Sequence, residues 1–539
     1  MNTQLKVLTV LSAAVLLAAC EGDDGLNGTN GADGAAGADG FNSLVATRAI
    51  PRGDAVCLGG GLALDSGLDT NRNDVLDPGE VTASEYLECE ATPTIRALHA
   101  SPDAPAVNIW VNGAAALPGV DYTMGSGFVP VVEENNVQVE AIIPGGNAVV
   151  IDADLSLDYS TETTVIAIRN LADNEGVPFP LVITNPSDER IPEGYFRAQV
   201  VHASPSAPAV DVYVTAFDAN LAGSAPVNGA DTPLEFEEFT GRLEVPAGDY
   251  QIRITPDNDT DTIYFDSGPL PLPAGVDLMI VAVENQGTGN TPVQLVVLDG
   301  TTASMLYDTN TPASVVAVHL SPDAPAVDIL ADATATPEDD MVLLASNVSF
   351  TEFCDIAGVP APGEYIINVA LNEGGAVAYP FDPLNFAKGD EALAIVSGFA
   401  TPGLEPALTD ITLPGNTRSV LTETKLRITH GSPSTPAVDL YLVARDAGFG
   451  ADPVYSAMGV TFGVDTTQLS VPVGDYDAYI ALAGADEPTV SIEGILDFNG
   501  GEVLDIIAAD DEGGPQLVIL DYAGGFLGED PNVAACPAP

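Results

Sequence analysis

The sequence predicts an all-β protein: tandem immunoglobulin-like or transthyretin-like sandwiches that follow a small disulfide-bounded calcium-loop module. Three observations carry this expectation. One motif recurs four times at spacings of a whole domain. Short alternating or apolar runs are punctuated by glycine and proline turns, and helical periodicity is scarce. The chain of 539 residues has room for several domains, and a hydrophobic fraction of 46% supplies real cores, which excludes a disordered chain.

The amino end reads as a lipoprotein signal peptide over residues 1–19. Lys6 gives the n-region its positive side chain, and residues 7–17 form an apolar run too short to span a bilayer. The run closes on Leu17-Ala18-Ala19-Cys20, which resembles a bacterial lipobox. The resemblance implies cleavage before Cys20 and acylation of that residue, and several acyl chains on one residue give stable anchoring. Glu21, rather than aspartate, follows the cysteine. The expected location is therefore the cell envelope, with the outer membrane favoured and the protein exposed at the surface. No later stretch is long and apolar enough for a transmembrane helix.

Residues 20–41 are expected to be a spacer. Gly22, Gly25, Gly28, Gly31, Gly34, Gly37 and Gly40 recur every third residue, the collagen pattern. The run is short and lacks proline, so a flexible spacer is expected rather than a trimeric stalk.

Residues 42–92 form a separate unit bounded by Cys57 and Cys89, for which the exported context predicts a disulfide. Its centre, residues 69–80, resembles the calcium loop of EF-hand and dockerin-like modules. Oxygen donors fall at Asp69, Asn71, Asn73, Asp77 and Glu80, with the carbonyl of Val75 at position seven. Position six is Asp74, where glycine normally makes the sharp turn; aspartate tolerates the left-handed conformation better than most residues. Gly59-Gly60-Gly61 upstream cannot form a good helix, so a lone loop is expected. The competing reading is a solvated acidic turn. Cys354 and Cys536 remain as a possible second disulfide that ties the tail to the third repeat.

The remainder is four repeats, expected over residues 94–190, 195–308, 314–416 and 424–525, with a tail at 526–539. Their motifs open at His99-Ala100-Ser101-Pro102, His202-Ala203-Ser204-Pro205, His319-Leu320-Ser321-Pro322 and His430-Gly431-Ser432-Pro433. Each continues to Pro-Ala-Val and then Asp211, Asp328 or Asp439, or Asn108 in the first copy. The spacings are 103, 117 and 111 residues, which are domain lengths rather than solenoid lengths. Beyond the motif the chain alternates: Val210, Val212 and Val214 fall on one face and Asp211 and Tyr213 on the other. A glycine turn feeds a second alternating run, as at Pro246-Ala247-Gly248-Asp249-Tyr250. Apolar runs at 278–283 and 293–298 close the unit. The short segments 185–194 and 308–314 between repeats suggest a semi-rigid rod.

The repeated H-x-S-P-x-x-P-A-V-D pattern resembles the bacterial domain of unknown function 4397, found in repeated copies on exported proteins. The resemblance covers roughly residues 94–525. It implies a β-sandwich surface module and brings no activity with it.

All four histidines of the chain occupy the same motif position. A His and a Ser two residues apart on a strand share a face, which invites a nucleophile reading for His99/Ser101, His202/Ser204, His319/Ser321 and His430/Ser432. The copies argue against it. The nearby acid is Asp103 or Asp323 in two copies but Ser206 or Ser434 in the others, and proline follows each serine. The expected role is structural: imidazole and hydroxyl satisfy backbone groups where prolines remove donors. Trp110, Tyr213 and Tyr441, with Leu330 in the third copy, occupy one further position and are expected to cover a sheet face rather than stack on sugars.

The charge balance is 15 Lys+Arg against 78 Asp+Glu, a net charge of −63. Such a surface repels nucleic acid and anionic lipid. A solvated coat suited to a salty medium is expected rather than a cation-binding surface. The function expected is that of a non-enzymatic, lipid-anchored surface protein with a structural or adhesive role. Calcium is its expected cofactor, and extracellular polysaccharide or other surface proteins its possible partners. The alternatives are a carbohydrate-binding array of a polysaccharide-uptake or matrix system and, last, a hydrolase.

Overall fold

The computed structural model describes residues 40–522 except 53, 58, 173–177, 230–231, 334–340, 372–375 and 511–515. The segment expected to be a signal peptide, Cys20, the expected spacer before Gly40 and the tail with Cys536 lie outside the described residues. Among the described residues there is no α-helix. One 3₁₀ turn, Leu221–Gly223, is capped by the Asn220 side chain, which accepts the Ala222 N–H. No helix is long and apolar enough to cross a membrane.

The chain forms two compact units. The smaller contains a three-stranded sheet with Gly61–Asp69 between Asn42–Ile50 and Val81–Cys89. The first two strands run antiparallel, from Asn42 opposite Asp69 to Ile50 opposite Gly61. The central strand buries every second residue, Ala63, Asp65 and Asp69 among them. Asp65 is a buried acid and therefore needs partners. It accepts from Arg48 Nε at 2.6 Å and from Ser84 Oγ at 2.6 Å.

The larger unit holds the four repeats, each built of two facing sheets. In the second repeat one sheet runs Leu243–Pro246, Tyr195–His202, Asp277–Glu284, Val293–Leu298, Ala303–Leu306 in spatial order. The other is built from Val210–Thr215, Gly248–Pro256 and Phe265–Asp266, with Leu270–Leu272 also on the central strand. The strand ending at the motif histidine pairs in parallel with a later strand in every copy: Thr94–His99 with Thr161–Ile168, Tyr195–His202 with Asp277–Glu284, Ala313–Leu320 with Glu391–Ser397, and Glu423–His430 with Val503–Ala509. A parallel pair needs a crossover, and here the crossover is the second sheet itself.

The interiors follow from the alternation. In the second repeat Phe196, Val212, Ile252, Ile254 and Phe265 meet in one core; in the third, Val315, Ile329, Ile367, Val369 and Phe381 do the same.

The other face of the first sheet is buried as well, against a neighbouring repeat. Leu98, Ile166, Ile168 and Ile183 of the first repeat form one apolar cluster with Val201, Met279, Val281, Val296 and Leu298 of the second. Val318, Leu320, Ile395 and Ile411 of the third repeat cluster likewise with Ile507, Val518 and Leu520 of the fourth. The ends of the two inter-repeat segments lie in strands: residue 185 belongs to the strand Phe179–Pro186, and Asn185 donates to Gln199 Oε1 at 2.9 Å. Residues 313–314 open the strand Ala313–Leu320.

Candidate functional site

Each motif histidine ends a strand and is buried, with 2%, 0%, 0% and 2% of its surface exposed at His99, His202, His319 and His430. Its backbone is locked by a reciprocal pair. The His99 N–H donates to Met124 O and the Thr123 N–H donates back to His99 O. Glu238 and Glu237 do the same for His202, Glu352 and Thr351 for His319, and Val464 and Gly463 for His430. The returning residue has positive φ in every copy: Thr123 65°, Glu237 74°, Thr351 70°, Gly463 81°. An aromatic residue precedes it, and three of these rings meet the imidazole edge-on: Tyr122 with His99, Phe236 with His202, Phe350 with His319.

The imidazole nitrogens serve the motif's own backbone. Nε2–H donates to the carbonyl of Pro105, Pro208, Pro325 or Pro436 at 3.0, 3.1, 3.1 and 3.2 Å. Nδ1 accepts the backbone N–H of Ser101, Ser204 and Ser321 at 3.4, 3.3 and 3.3 Å. His430 Nδ1 has no hydrogen-bond partner. One donor and one acceptor on the same ring define the neutral tautomer. Burial pushes His99 down to about 4 and lowers His202 and His319 in the same direction.

The serine hydroxyls differ from copy to copy. Ser101 Oγ donates to Arg169 O at 2.5 Å, and Ser321 Oγ to Asp323 at 3.4 Å. Ser432 Oγ donates to Asp510, while Ser204 Oγ is buried without a partner. A nucleophile needs the base on its hydroxyl. In the first three copies the hydrogen bond between the motif's His and Ser runs instead from the serine amide to Nδ1.

The acid that varies between copies has an explanation that the sequence alone did not supply. Asp103 accepts the N–H of Leu171 at 2.7 Å and of Ala172 at 3.1 Å; Asp323 accepts those of Ala400 and Thr401 at 2.7 and 2.9 Å. In the second and fourth copies the motif carries serine, and the acid sits on the facing segment. Glu284 accepts from Ser206, and Asp510 accepts from Ser432 and from the Ser434 N–H at 3.2 Å. Glu284 and Asp510 both lie two residues beyond the partner of the motif histidine, at the step held by Arg169 and Gly398 in the other copies. The acid alternates sides, and the closure of the loop is preserved.

The further aromatic position is not a uniform platform. Tyr213 is buried, Trp110 and Leu330 are half-buried, and Tyr441 is half-buried and packs edge-on against Phe449, which also packs against Tyr479.

Cys57 and Cys89 are joined in a disulfide with a Cα–Cα distance of 5.2 Å. Cys354 is buried in the third repeat; Cys536 lies outside the described residues.

The loop from Asp69 to Glu80 joins two strands, with no helix on either side. Asp69 accepts the N–H of Asn73 at 3.0 Å and of Asp74 at 2.9 Å. Asn71 Oδ1 accepts the Asn73 N–H at 3.0 Å, and Asn73 Oδ1 the Val75 N–H at 2.8 Å. Glu80 gathers the N–H groups of Thr70, Asn71 and Asp77 at 2.7, 3.0 and 3.2 Å. Arg72 and Asp74 take φ of 60° and 59°, so aspartate does make the left-handed turn at position six. Thr70 and the loop amides hold the Glu80 carboxyl below its ordinary value. Among the described residues no three His, Cys, Asp or Glu side chains group as a metal site. Asp77 accepts the Asn71 amide at 2.6 Å and the Asn73 amide at 3.0 Å. The donor set is rich in oxygen, as calcium requires. The carboxylates are meanwhile satisfied by amide N–H groups, so the residues fit the ion by composition and turn, and the two asparagine amides would have to present oxygen instead.

Comparison with known proteins places these features. The profile of Domain of unknown function (DUF4397) matches residues 93–213, 215–330 and 313–441. That of Domain of unknown function (DUF7151) matches residues 42–89. No curated protein matches the chain. Among solved structures, the family CBM26 module CBMbc of Eubacterium rectale Amy13K, in complex with maltoheptaose, aligns at 9% identity and a TM-score of 0.15, over 41% of this chain and 97% of that one. The multi-modular glycogen-degrading pneumococcal virulence factor SpuA aligns at 11% identity and a TM-score of 0.14, over 53% of this chain. The chain spans 37% of the length of that second structure. Both scores lie far below the level of a shared fold.

Proposed function

The chain belongs to the family of Domain of unknown function (DUF4397), and from that premise we propose that it is a lipid-anchored surface protein with a structural or adhesive role and no catalytic activity. One observation carries the reading. The side chains best suited to chemistry, the four histidines, are buried at one equivalent position, and Nε2 of each is bonded to the motif's own backbone. The repeated motif then acts as a clamp that closes each sandwich.

In this reading acylated Cys20 holds the chain at the outer membrane and residues 20–41 act as a spacer. The loop bearing Asp69, Asn71, Asn73, the Val75 carbonyl, Asp77 and Glu80 takes calcium, which would cross-link the turn between its two strands. The strongly acidic surface keeps the displayed repeats solvated and turns nucleic acid away. Extracellular polysaccharide or a neighbouring surface protein is the partner such a display would meet.

The test pairs location with binding. Wild-type and Cys20→Ala chains are compared by protease accessibility on intact cells, and the purified chain is screened against envelope polymers and glycans with and without calcium. The expected result is surface exposure that depends on Cys20, with no turnover of any polymer. Tight, selective binding of one polysaccharide would replace the structural reading with the carbohydrate-binding one. Hydrolysis of a polymer would overturn both. Calorimetric titration with calcium should give saturable heat that Glu80→Gln removes; an absence of heat would reduce the loop to a solvated turn.

A further inference from the structure

The four sandwiches do not fill their interiors equally. The second and third repeats each hold one continuous core. The fourth is split into two clusters, one around Leu426, Leu442 and Phe498 and the other around Val438, Leu440 and Ile480. Between its sheets lies a cavity of 210 Å³, lined by aliphatic and aromatic residues that include Leu426, Ile428, Leu442, Ala478, Leu496 and Phe498, with no charged residue among them.

The internal repeats show why the space is there. Four residues beyond the motif valine, the facing strand supplies Ile252 opposite Val214 in the second repeat and Ile367 opposite Ala331 in the third. At the same step of the fourth repeat it supplies Ala478, opposite Leu442. A large core residue is thus replaced by a small one on the same face, and the larger leucine at 442 does not refill the volume.

We propose that the fourth repeat carries a binding site between its sheets for a small, uncharged, apolar ligand, of the size of one aromatic ring with a short alkyl substituent. An apolar cavity of about 150 Å³ stays dry and takes up benzene, and this one is about 1.4 times larger. Its lining offers no set of polar partners that would hold water, and it excludes a charged ligand, which would be buried unpaired. Ile519, 46% exposed, is among the lining residues and gives the cavity a side through which a ligand can enter. The site is separate from the motif and is independent of the surface role proposed above.

Toluene is the probe, and the whole purified chain is the sample. The wild type should show a saturable rise in its thermal midpoint with toluene. Ala478→Ile, which restores the residue of the second and third repeats, should raise the midpoint without ligand and weaken toluene binding by about tenfold or more. Ala478→Val, a smaller addition, should do both to a lesser degree and serves if isoleucine overfills the site. A wild-type chain that gives no toluene-dependent rise overturns the proposal. So do variants that bind toluene as tightly as wild type, and so does a lower midpoint in both variants, since that would mean the space is already filled.

Discussion

At the motif histidine, one ring does the work of two missing backbone partners. Burial holds the His99 imidazole at about 4, against an ordinary value of 6.5; the Arg418 charge acts in the same direction and Asp121 opposes it. The folded chain therefore keeps His99 neutral while the unfolded chain takes up a proton. Its contribution is whole above pH ~6.5 and is lost as the pH falls towards about 4, an effect of about 3 kcal/mol. His202 and His319 shift in the same direction. Denaturant midpoints should fall between about pH 7.5 and about pH 5, and His99→Gln should flatten part of that fall. An unchanged slope in the variant would remove His99 from the account. The alternating acid gives a second expectation. Asp510→Ala leaves the Ser434 N–H unpaired and Ser432 with only the Thr435 hydroxyl, and should cost about 1–3 kcal/mol. Ser434→Asp in that background rebuilds the arrangement of the first and third copies and should restore part of the loss in urea unfolding. The histidines were legible in the sequence because they recur in register. Glu284 and Asp510 were not, because each lies some 80 residues from its partner and only the parallel pairing of strands brings it there.

At the scale of the element, the first sheet of each repeat is the informative one. Runs such as Leu278-Met279-Ile280-Val281-Ala282-Val283 are continuous rather than alternating, and continuity is the mark of a strand buried on both faces. One face meets its own sandwich and the other meets the next repeat. The residue after each motif histidine shows how the second contact is fitted. It is Ala100 and Ala203 in the first pair, and Leu320 and Gly431 in the second. A Cβ on Gly431 would stand 2.9 Å from Leu320 Cδ1 and 3.0 Å from Ala508 O, so the large residue of one repeat uses the space left by the glycine of the other. Gly431→Ala should therefore destabilise by about 1–3 kcal/mol through overpacking. Leu320→Ala added to it recreates the alanine pair, and the double variant should lie above the sum of the single effects by about 0.5 kcal/mol or more. Strict additivity in equilibrium unfolding would show that the two positions do not share the contact.

Across the whole larger unit, scarce positive charge is placed where repeats meet. Arg169 pairs with Glu237 and Arg242 with Glu162 between the first and second repeats. Arg427 is bidentate to Asp505 at 2.6 and 2.7 Å and also donates to Pro414 O of the third repeat. Arg418, just before the fourth repeat, reaches back to the first, where it pairs with Asp121 and donates to Pro102 O and Ala104 O at 3.1 and 2.9 Å. In a chain of net charge −63 these contacts offset repulsion at the seams. A single excised repeat would expose an apolar sheet face of the kind that drives association. The fragment 93–308 should therefore remain monomeric in size-exclusion chromatography with light scattering, while 195–308 alone should associate. A monomeric, fully folded 195–308 would mean that the shared cluster is not needed for solubility.

The sequence by itself determined the repeat, its length, its β character and the module bounded by Cys57 and Cys89, because these rest on local periodicity, turn residues and recurrence in register. It also carried the Asp74 turn, where only a residue that tolerates positive φ can stand. The tertiary structure alone decided that the repeats pair through their sheets, that the acid of the motif changes sides, and that the fourth interior is left partly empty. Each of these depends on which residues two distant strands set opposite one another. A one-dimensional pattern reports the face of a strand but not what covers it.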